Sequence, residues 1–283
     1  MKDFIIEGIA IGFDYKTWIE DRKILNSLLL SVLETWYSNV YDNQAHIKIN
    51  VTEDEKREYG LIKNAKWSFE GDLTNLAINY HLLNSILKND ELEKGFKILY
   101  IKLLFENYIT NLRSIYDACS FFPRIIMPIE EIKRYSKRKK SDSLNTFIIF
   151  CKSNEPISLP HELRTFMNDF HEDLEVVKEI RDSIIHQGKE PLIRFQNNEA
   201  YFRIPVSPPY GEKNRLPDIL DMGNTDYPLK IYMKELTDRL FQFTENLGLI
   251  LYNYLKEKGK EELVLTAIAG LCIEEFNNFL GYK

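Results

Sequence analysis

The chain has 283 residues, of which 44% are hydrophobic and 13% aromatic, so it can fill the core of one large domain or two small ones. Its formal net charge of -6 and its pI near 5.6 argue against a wide nucleic-acid or anionic-membrane surface, because such surfaces are normally strongly basic. No apolar run approaches membrane-spanning length, so the sequence predicts a soluble protein.

Cysteine and histidine spacing indicates neither a disulfide framework nor a metal site. Cys119, Cys151 and Cys272 are far apart and lack paired metal spacing, which is typical of reduced thiols in a cytoplasmic protein. His161 and His171 are ten residues apart, nearly three helical turns, and too distant to share one ion. We therefore expect no metal and no cofactor.

The first 70 residues predict an extension that packs on a larger helical body. Residues 3–13 and 45–51 carry alternating apolar side chains, which favour two short strands that can pair. Residues 17–37 have apolar side chains near one face of a helix. A charged segment without clear periodicity follows, and the next predicted helix covers residues 72–88, with Asp72 as its cap.

Two long helices show the most regular apolar spacing. Residues 91–122 and 228–258 repeat apolar side chains alternately three and four positions apart, the pattern of a helix packed along its whole length. Residues 123–160 combine prolines, a basic run and a short apolar stretch, which indicates an excursion between bundle helices. A shorter terminal helix is predicted after Gly259.

The helix predicted at residues 161–188 breaks its own apolar pattern. Its stripe holds Leu163, Met167, Phe170, Leu174 and Val177. The next position is Arg181, which must find an anion, a hydrogen-bonded partner or an interface, because an unpaired buried charge is costly. Asp182 lies one turn before His186, and Gly188 ends the helix, so the helix dipole and the carboxylate both favour a protonatable histidine.

The remaining segments complete a mainly α-helical fold. Residues 191–206 have two alternating halves around Asn197 and Asn198, which predict a β-hairpin, and a proline-rich loop follows. We expect an antiparallel four-helix bundle over residues 71–283, with the hairpin and loop inserted at 191–228 and with additional N- and C-terminal helices.

At RDSIIH, residues 181–186, the sequence resembles the HEPN superfamily of helical proteins. That family's motif is an arginine, usually followed by a polar residue, and a histidine after four to six intervening positions. Arg181, Asp182 and His186 stand at these three places.

The resemblance covers about residues 91–258, and residues 107–121, NYITNLRSIYDACSF, look like the preceding helix of that family. The spacing of the motif is weak by itself, because Arg164 and His171 also satisfy it within the same predicted helix.

The resemblance implies a metal-independent endoribonuclease that works as a homodimer through its bundle helices, in a defence or toxin-antitoxin setting. His186 would move the proton of the RNA 2′-hydroxyl, Arg181 would hold phosphate oxygens, and Asp182 would orient His186. Arg113 and Asp117 on the preceding helix are candidates for supporting roles. The alternative is a non-catalytic dimeric module in which Arg181 and His186 bind a nucleotide or support a protein interface.

The basic run at residues 133–140 is a candidate RNA contact. Lys133, Arg134, Lys137 and Arg138 would contact the RNA backbone, and Tyr135 would stack on an RNA base. The same composition is also typical of a solvated loop.

Overall fold

A computed structural model describes residues 27–153, 157–186, 190–196, 199–205, 214–223, 226–259, 263–264 and 274–281. The strand predicted at residues 3–13, the first half of the helix predicted at 17–37 and part of the proline-rich loop lie outside the described residues. Within the described ranges the protein is mainly helical and carries one small antiparallel sheet, as the sequence predicts.

The described ranges contain nine α-helices and three strands. The helices are α1 (Ser27–Val40), α2 (Glu53–Lys88), α3 (Lys94–Ala118), α4 (Ile129–Ser136), α5 (Leu144–Lys152), α6 (His161–Asp169), α7 (His171–Arg181), α8 (Leu229–Glu257) and α9 (Glu274–Leu280). The strands are β1 (Leu192–Gln196), β2 (Glu199–Arg203) and β3 (Tyr227–Pro228). A 3₁₀-helix covers Phe122–Ile126, and a π-helix covers Asp182–His186. No helix of the described residues is long and apolar enough to cross a membrane.

The apolar stripes predicted for α3 and α8 are confirmed. In α3 the buried members include Ile101, Phe105, Tyr108, Leu112 and Ile115. In α8 they include Met233, Leu236, Leu240, Phe243 and Leu247. A helix that buries the same stripe over its whole length is stabilised by packing rather than by local propensity.

Helix α2 begins well before Asp72, where the sequence predicted its start. The Thr52 hydroxyl oxygen accepts a hydrogen bond from the Glu55 backbone N–H at 3.3 Å, and the Glu55 carboxylate accepts one from the Thr52 N–H at 2.8 Å. This reciprocal pair is a capping box, which satisfies backbone donors that the first helical turn leaves open. The charged stretch that follows is therefore helix.

The prediction of a strand at residues 45–51 is wrong. Only an isolated bridge joins Tyr41 and Ile47 there. The Asp42 carboxylate accepts hydrogen bonds from the backbone N–H groups of Gln44 and His46, both at 2.9 Å. These bonds hold a turn, in which backbone groups are satisfied locally instead of by a strand ladder.

The single helix predicted at residues 161–188 is two helices and a π-helical turn. Phe170 separates α6 from α7, and its ring packs 5.2 Å from the ring of Tyr116 and 4.1 Å from that of Phe243. No glycine or proline lies at this junction, so the break coincides with side-chain packing and not with a helix-breaking residue.

One compact unit, unit 1, consists of Met1–Gly71, Ile115–His171 and Phe241–Ile268. A buried ion pair joins the Arg124 guanidinium to the Glu58 carboxylate at 3.2 Å, and both side chains are 1% exposed. Arg124 also donates to the Ser141 carbonyl oxygen at 2.6 Å. The pair ties α2 to the 3₁₀-helix in the interior of this unit.

The second compact unit, unit 2, consists of Asp72–Ser114, Glu172–Leu240 and Ala269–Lys283. The predicted hairpin is confirmed as β1 and β2, which pair antiparallel, and β3 pairs antiparallel with β2. Phe202 on β2 is fully buried between the rings of Phe105 and Tyr232, at 4.7 and 5.2 Å. These contacts fix the sheet on the helices of unit 2.

Candidate functional site

The backbone of residues 181–186 leaves α-helical geometry where the motif lies. Helix α7 ends at Arg181, and the π-helix covers Asp182–His186. Five residues make about 1.4 turns of an α-helix, which would place Arg181 and His186 on different faces. In a π-helix the hydrogen bonds run from residue i to residue i+5, so residues five apart lie close to one full turn from each other.

Arg181 and Asp182 lie at the boundary between the interior of unit 2 and solvent. Their side chains are 34% and 37% exposed, and a guanidinium nitrogen of Arg181 lies 3.6 Å from a carboxylate oxygen of Asp182. Ile180 and Ile184 are buried on either side of them. The side chain of His186 lies outside the described part of the structure.

The two supporting residues predicted on α3 have different surroundings. Arg113, in unit 2, is 8% exposed. Asp117, in unit 1, accepts a hydrogen bond at 3.0 Å from the backbone N–H of Leu144, the first residue of α5. A carboxylate at a helix N-terminus satisfies an open donor and complements the helix dipole, so Asp117 has a structural task.

The basic run contributes to a surface groove in unit 1 with a volume of about 500 Å³. The groove is lined by Asp54, Arg57, Glu130, Lys133, Arg134, Ser136 and Lys137. The Lys133 ammonium lies 2.8 Å from Asp54 and 3.1 Å from Glu130. Hydrogen bonds to these two carboxylates raise the pKa of Lys133, and Lys133 in turn lowers the pKa of Asp54. Part of the positive charge of the run is therefore balanced within the protein.

Two arginines of the run pack on an aromatic ring. The guanidinium of Arg138 lies 5.2 Å from the ring centre of Phe150, and that of Arg134 lies 6.0 Å from the same ring. Tyr135 is fully buried and donates a hydrogen bond to the Ser141 carbonyl oxygen at 2.7 Å. The prediction that Tyr135 stacks on a base is therefore wrong, because neither ring face reaches the surface.

Sequence reasoning missed Arg57, which lines the same groove from α2. The omission follows from the late start predicted for that helix, because the charged residues between Val51 and Asp72 were not assigned to any element. The capping box at Thr52 and Glu55 is the sequence signal that would have found it.

The second arginine and histidine pair with the same spacing is divided by the break at Phe170. Arg164 lies in α6 and donates to the Cys151 carbonyl oxygen at 3.3 Å, whereas His171 is the first residue of α7. These two residues therefore do not share a helix, whereas the sequence predicted both in the single helix at residues 161–188.

No protein-family model matches the chain, and neither a curated protein nor a solved structure matches it significantly. The HEPN relationship is therefore a hypothesis carried by residues 181–186. In the described ranges, no group of three or more His, Cys, Asp and Glu side chains is arranged to hold a metal ion.

Proposed function

We propose that this protein is a HEPN-like, metal-independent endoribonuclease whose catalytic residues are Arg181, Asp182 and His186. The observation that supports it best is the π-helical turn at Asp182–His186, because π-helical turns are rare and occur frequently at functional sites. We infer that this turn lets Arg181 and His186 share one side of the helix, so that a single phosphate contacts both.

The residue types suit cleavage of RNA without a metal. The 2′-oxygen attacks the adjacent phosphorus, the bond from phosphorus to the 5′-oxygen breaks, and the products are a 2′,3′-cyclic phosphate and a 5′-hydroxyl. His186 takes the 2′-hydroxyl proton as a base, and a protonated histidine returns a proton to the 5′-oxygen. Histidine suits both tasks because both of its forms are populated near neutral pH.

Arg181 and Asp182 have complementary roles in this proposal. The guanidinium of Arg181 offers planar donors that hold two phosphate oxygens and stabilise the charge that develops on them. Asp182 lies 3.6 Å from it and is half-exposed, so it can position the guanidinium before RNA binds and then turn to His186. The groove of unit 1, with Lys133, Arg134 and Lys137, is the proposed contact for the RNA backbone.

We further propose that the four-helix HEPN-like bundle forms a homodimer, so that the base and the acid come from two copies. An exposed apolar face on α3 supports this proposal: Phe96, Leu99, Tyr100 and Leu103 are 53%, 58%, 45% and 54% exposed. Their spacing of three and four residues places them on one side of the helix. They expose roughly 400 Å² together, about half of what one partner contributes to a standard interface.

The dimer is tested by measuring molar mass with light scattering after size exclusion. A Leu99→Asp, Leu103→Asp variant should be a monomer, whereas Ile149→Asp, at a 51% exposed position of α5, should leave the dimer intact. A monomeric wild type, or a dimer that survives the double substitution, contradicts the proposed interface.

The cleavage itself is tested with single-stranded RNA in the presence of a metal chelator. His186→Ala should lose at least about a hundredfold in rate, since a positioned acid or base contributes that much or more. His171→Ala is the matched control, because His171 belongs to the pair with Arg164 that has the motif spacing but is divided by the break at Phe170. Fragments should accept a 5′-phosphate directly from polynucleotide kinase, and a 2′-deoxy residue at the cleavage site should block the reaction.

The nuclease proposal fails if His186→Ala cleaves as fast as the wild type or if no RNA is cleaved by either. The alternative, a non-catalytic module, is favoured by one observation: Asp182 already supplies an anion to Arg181. In that case RNA stays intact, and Arg181→Ala weakens dimerisation or binding of a nucleotide.

A further inference from the structure

Unit 2 contains a cavity of about 580 Å³, which is within the range of small-molecule sites. Its walls come from the end of α2, the start of α3, the hairpin and the start of α8. None of the predicted functional residues lines it. The cavity is therefore distinct from the motif at residues 181–186.

Positive charge dominates the polar part of the lining. It contains four lysines, Lys88, Lys94, Lys97 and Lys230, and two carboxylates, Asp90 and Glu199. This excess contrasts with the net charge of -6 for the whole chain. A concave, partly apolar wall strengthens the attraction of such a cluster for an anion.

The two helices that begin at the cavity add to its positive electrostatic potential. Lys94 is the first residue of α3, and Lys230 is the second residue of α8. Helix N-termini carry partial positive charge and normally attract acidic residues, yet the first turns of α3 and α8 contain none. Lysines at these positions are unfavourable for the isolated helices, and a bound anion relieves this cost.

The apolar part of the lining offers a surface for a flat group. Phe195 on β1 and Ala200 on β2 are register partners and therefore lie on the same face of the hairpin. The Lys97 ammonium lies 5.9 Å from the ring centre of Phe195 and donates to the Leu87 carbonyl oxygen at 3.1 Å. The Lys97 ammonium thus lies over the Phe195 ring within one wall of the cavity.

We propose that this cavity binds a free nucleoside triphosphate, with its base against Phe195 and its phosphates among Lys94, Lys97 and Lys230. A planar base satisfies the apolar wall, and Asp90 and Glu199 can accept hydrogen bonds from its amino groups. A fatty acid would offer these carboxylates no hydrogen-bond donor, and inorganic phosphate would leave the apolar wall empty. The proposal does not depend on RNA cleavage.

The test is calorimetric titration of the full-length protein with ATP, AMP, adenosine and pyrophosphate. We expect one saturable site with the affinity order ATP, then AMP, with no detectable binding of adenosine. Lys94→Gln with Lys97→Gln should weaken ATP binding by about tenfold or more, because charge-assisted contacts to phosphate are lost. Lys102→Gln is the control, since Lys102 lies on the same helix but pairs with Glu190 outside the cavity lining.

A further variant separates this site from a bare anion site. Phe195→Leu should weaken ATP binding and leave pyrophosphate binding unchanged. The proposal is overturned if ATP does not bind saturably, if the lysine variant binds it as the wild type does, or if pyrophosphate binds as tightly as ATP. Tighter binding of a 5′-phosphorylated RNA oligonucleotide than of ATP would also overturn the assignment to a free nucleotide.

Discussion

Gly248 in α8 marks a close approach of α8 to α1 in unit 1, and its replacement by alanine should destabilise the protein. A Cβ atom built on Gly248 would lie 2.6 Å from the backbone nitrogen of Leu29 in α1, 2.8 Å from its Cα and 2.9 Å from its Cβ. Carbon contacts at ordinary separation are about 3.5–4.0 Å, so α1 and α8 would have to move apart by nearly 1 Å. The obstacle is helix backbone, which cannot rotate away as a side chain can.

Two opposing effects set the size of the change. Overpacking of a well-packed interior costs about 1–3 kcal/mol, and here the rigid obstacle favours the upper part of that range. Alanine in place of glycine in a helix contributes about 1 kcal/mol in the opposite direction. We therefore expect Gly248→Ala to lower the free energy of unfolding by about 1–2 kcal/mol.

Gly71→Ala and Gly60→Ala in α2 are matched controls with the opposite expected sign. Neither position has an atom within 4 Å of the added Cβ, so both variants should gain about 0.5–1 kcal/mol from helix propensity. The measurement is urea unfolding followed by helical circular dichroism and tryptophan fluorescence. A Gly248→Ala variant as stable as the wild type would refute the close approach of α1 and α8. A loss of stability in the controls would refute the open surroundings of Gly60 and Gly71.

Two other predictions concern the interior of unit 1. Glu58→Gln should lower the free energy of unfolding by about 3 kcal/mol, because it leaves the buried guanidinium of Arg124 without its counter-charge. Replacing both Glu58 and Arg124 by leucine should be nearly neutral. Equal urea midpoints for Glu58→Gln and the wild type would contradict this prediction. Burial raises the pKa of the Cys119 thiol and raises that of Cys151 to about 12, so at about pH 8 both stay protonated. In a Cys272→Ser background, a thiol reagent should therefore label neither in the native protein and both in denaturant, and rapid native labelling would contradict their burial.

The parts of the fold that the sequence predicts well are those whose signal lies within one segment. The stripes of α3 and α8 repeat over many turns, and the hairpin alternates on both sides of its turn. The start of α2 was also readable, because Thr52 and Glu55 form a capping box, but the charged residues after it hide the helical period.

The candidate site was readable only in part. Arg181 stands out because it interrupts an apolar stripe, and the structure keeps it 3.6 Å from Asp182. The π-helical turn has no local signature, since the same five residues are compatible with a regular α-helix. Tyr135 was misassigned because composition alone cannot tell a buried aromatic ring in a basic run from an exposed one.

The amino-acid sequence by itself determined the helical class, the two most regular helices and the hairpin, because periodic burial is encoded by residues close together in the chain. Tertiary structure alone decided the break at Phe170, which accompanies ring contacts with Tyr116 and Phe243. It also decided the lysine-lined cavity, whose walls come from three separate stretches of the chain between Leu87 and Ile231. Such features depend on contacts between residues distant in sequence, and no periodicity within a single segment records them.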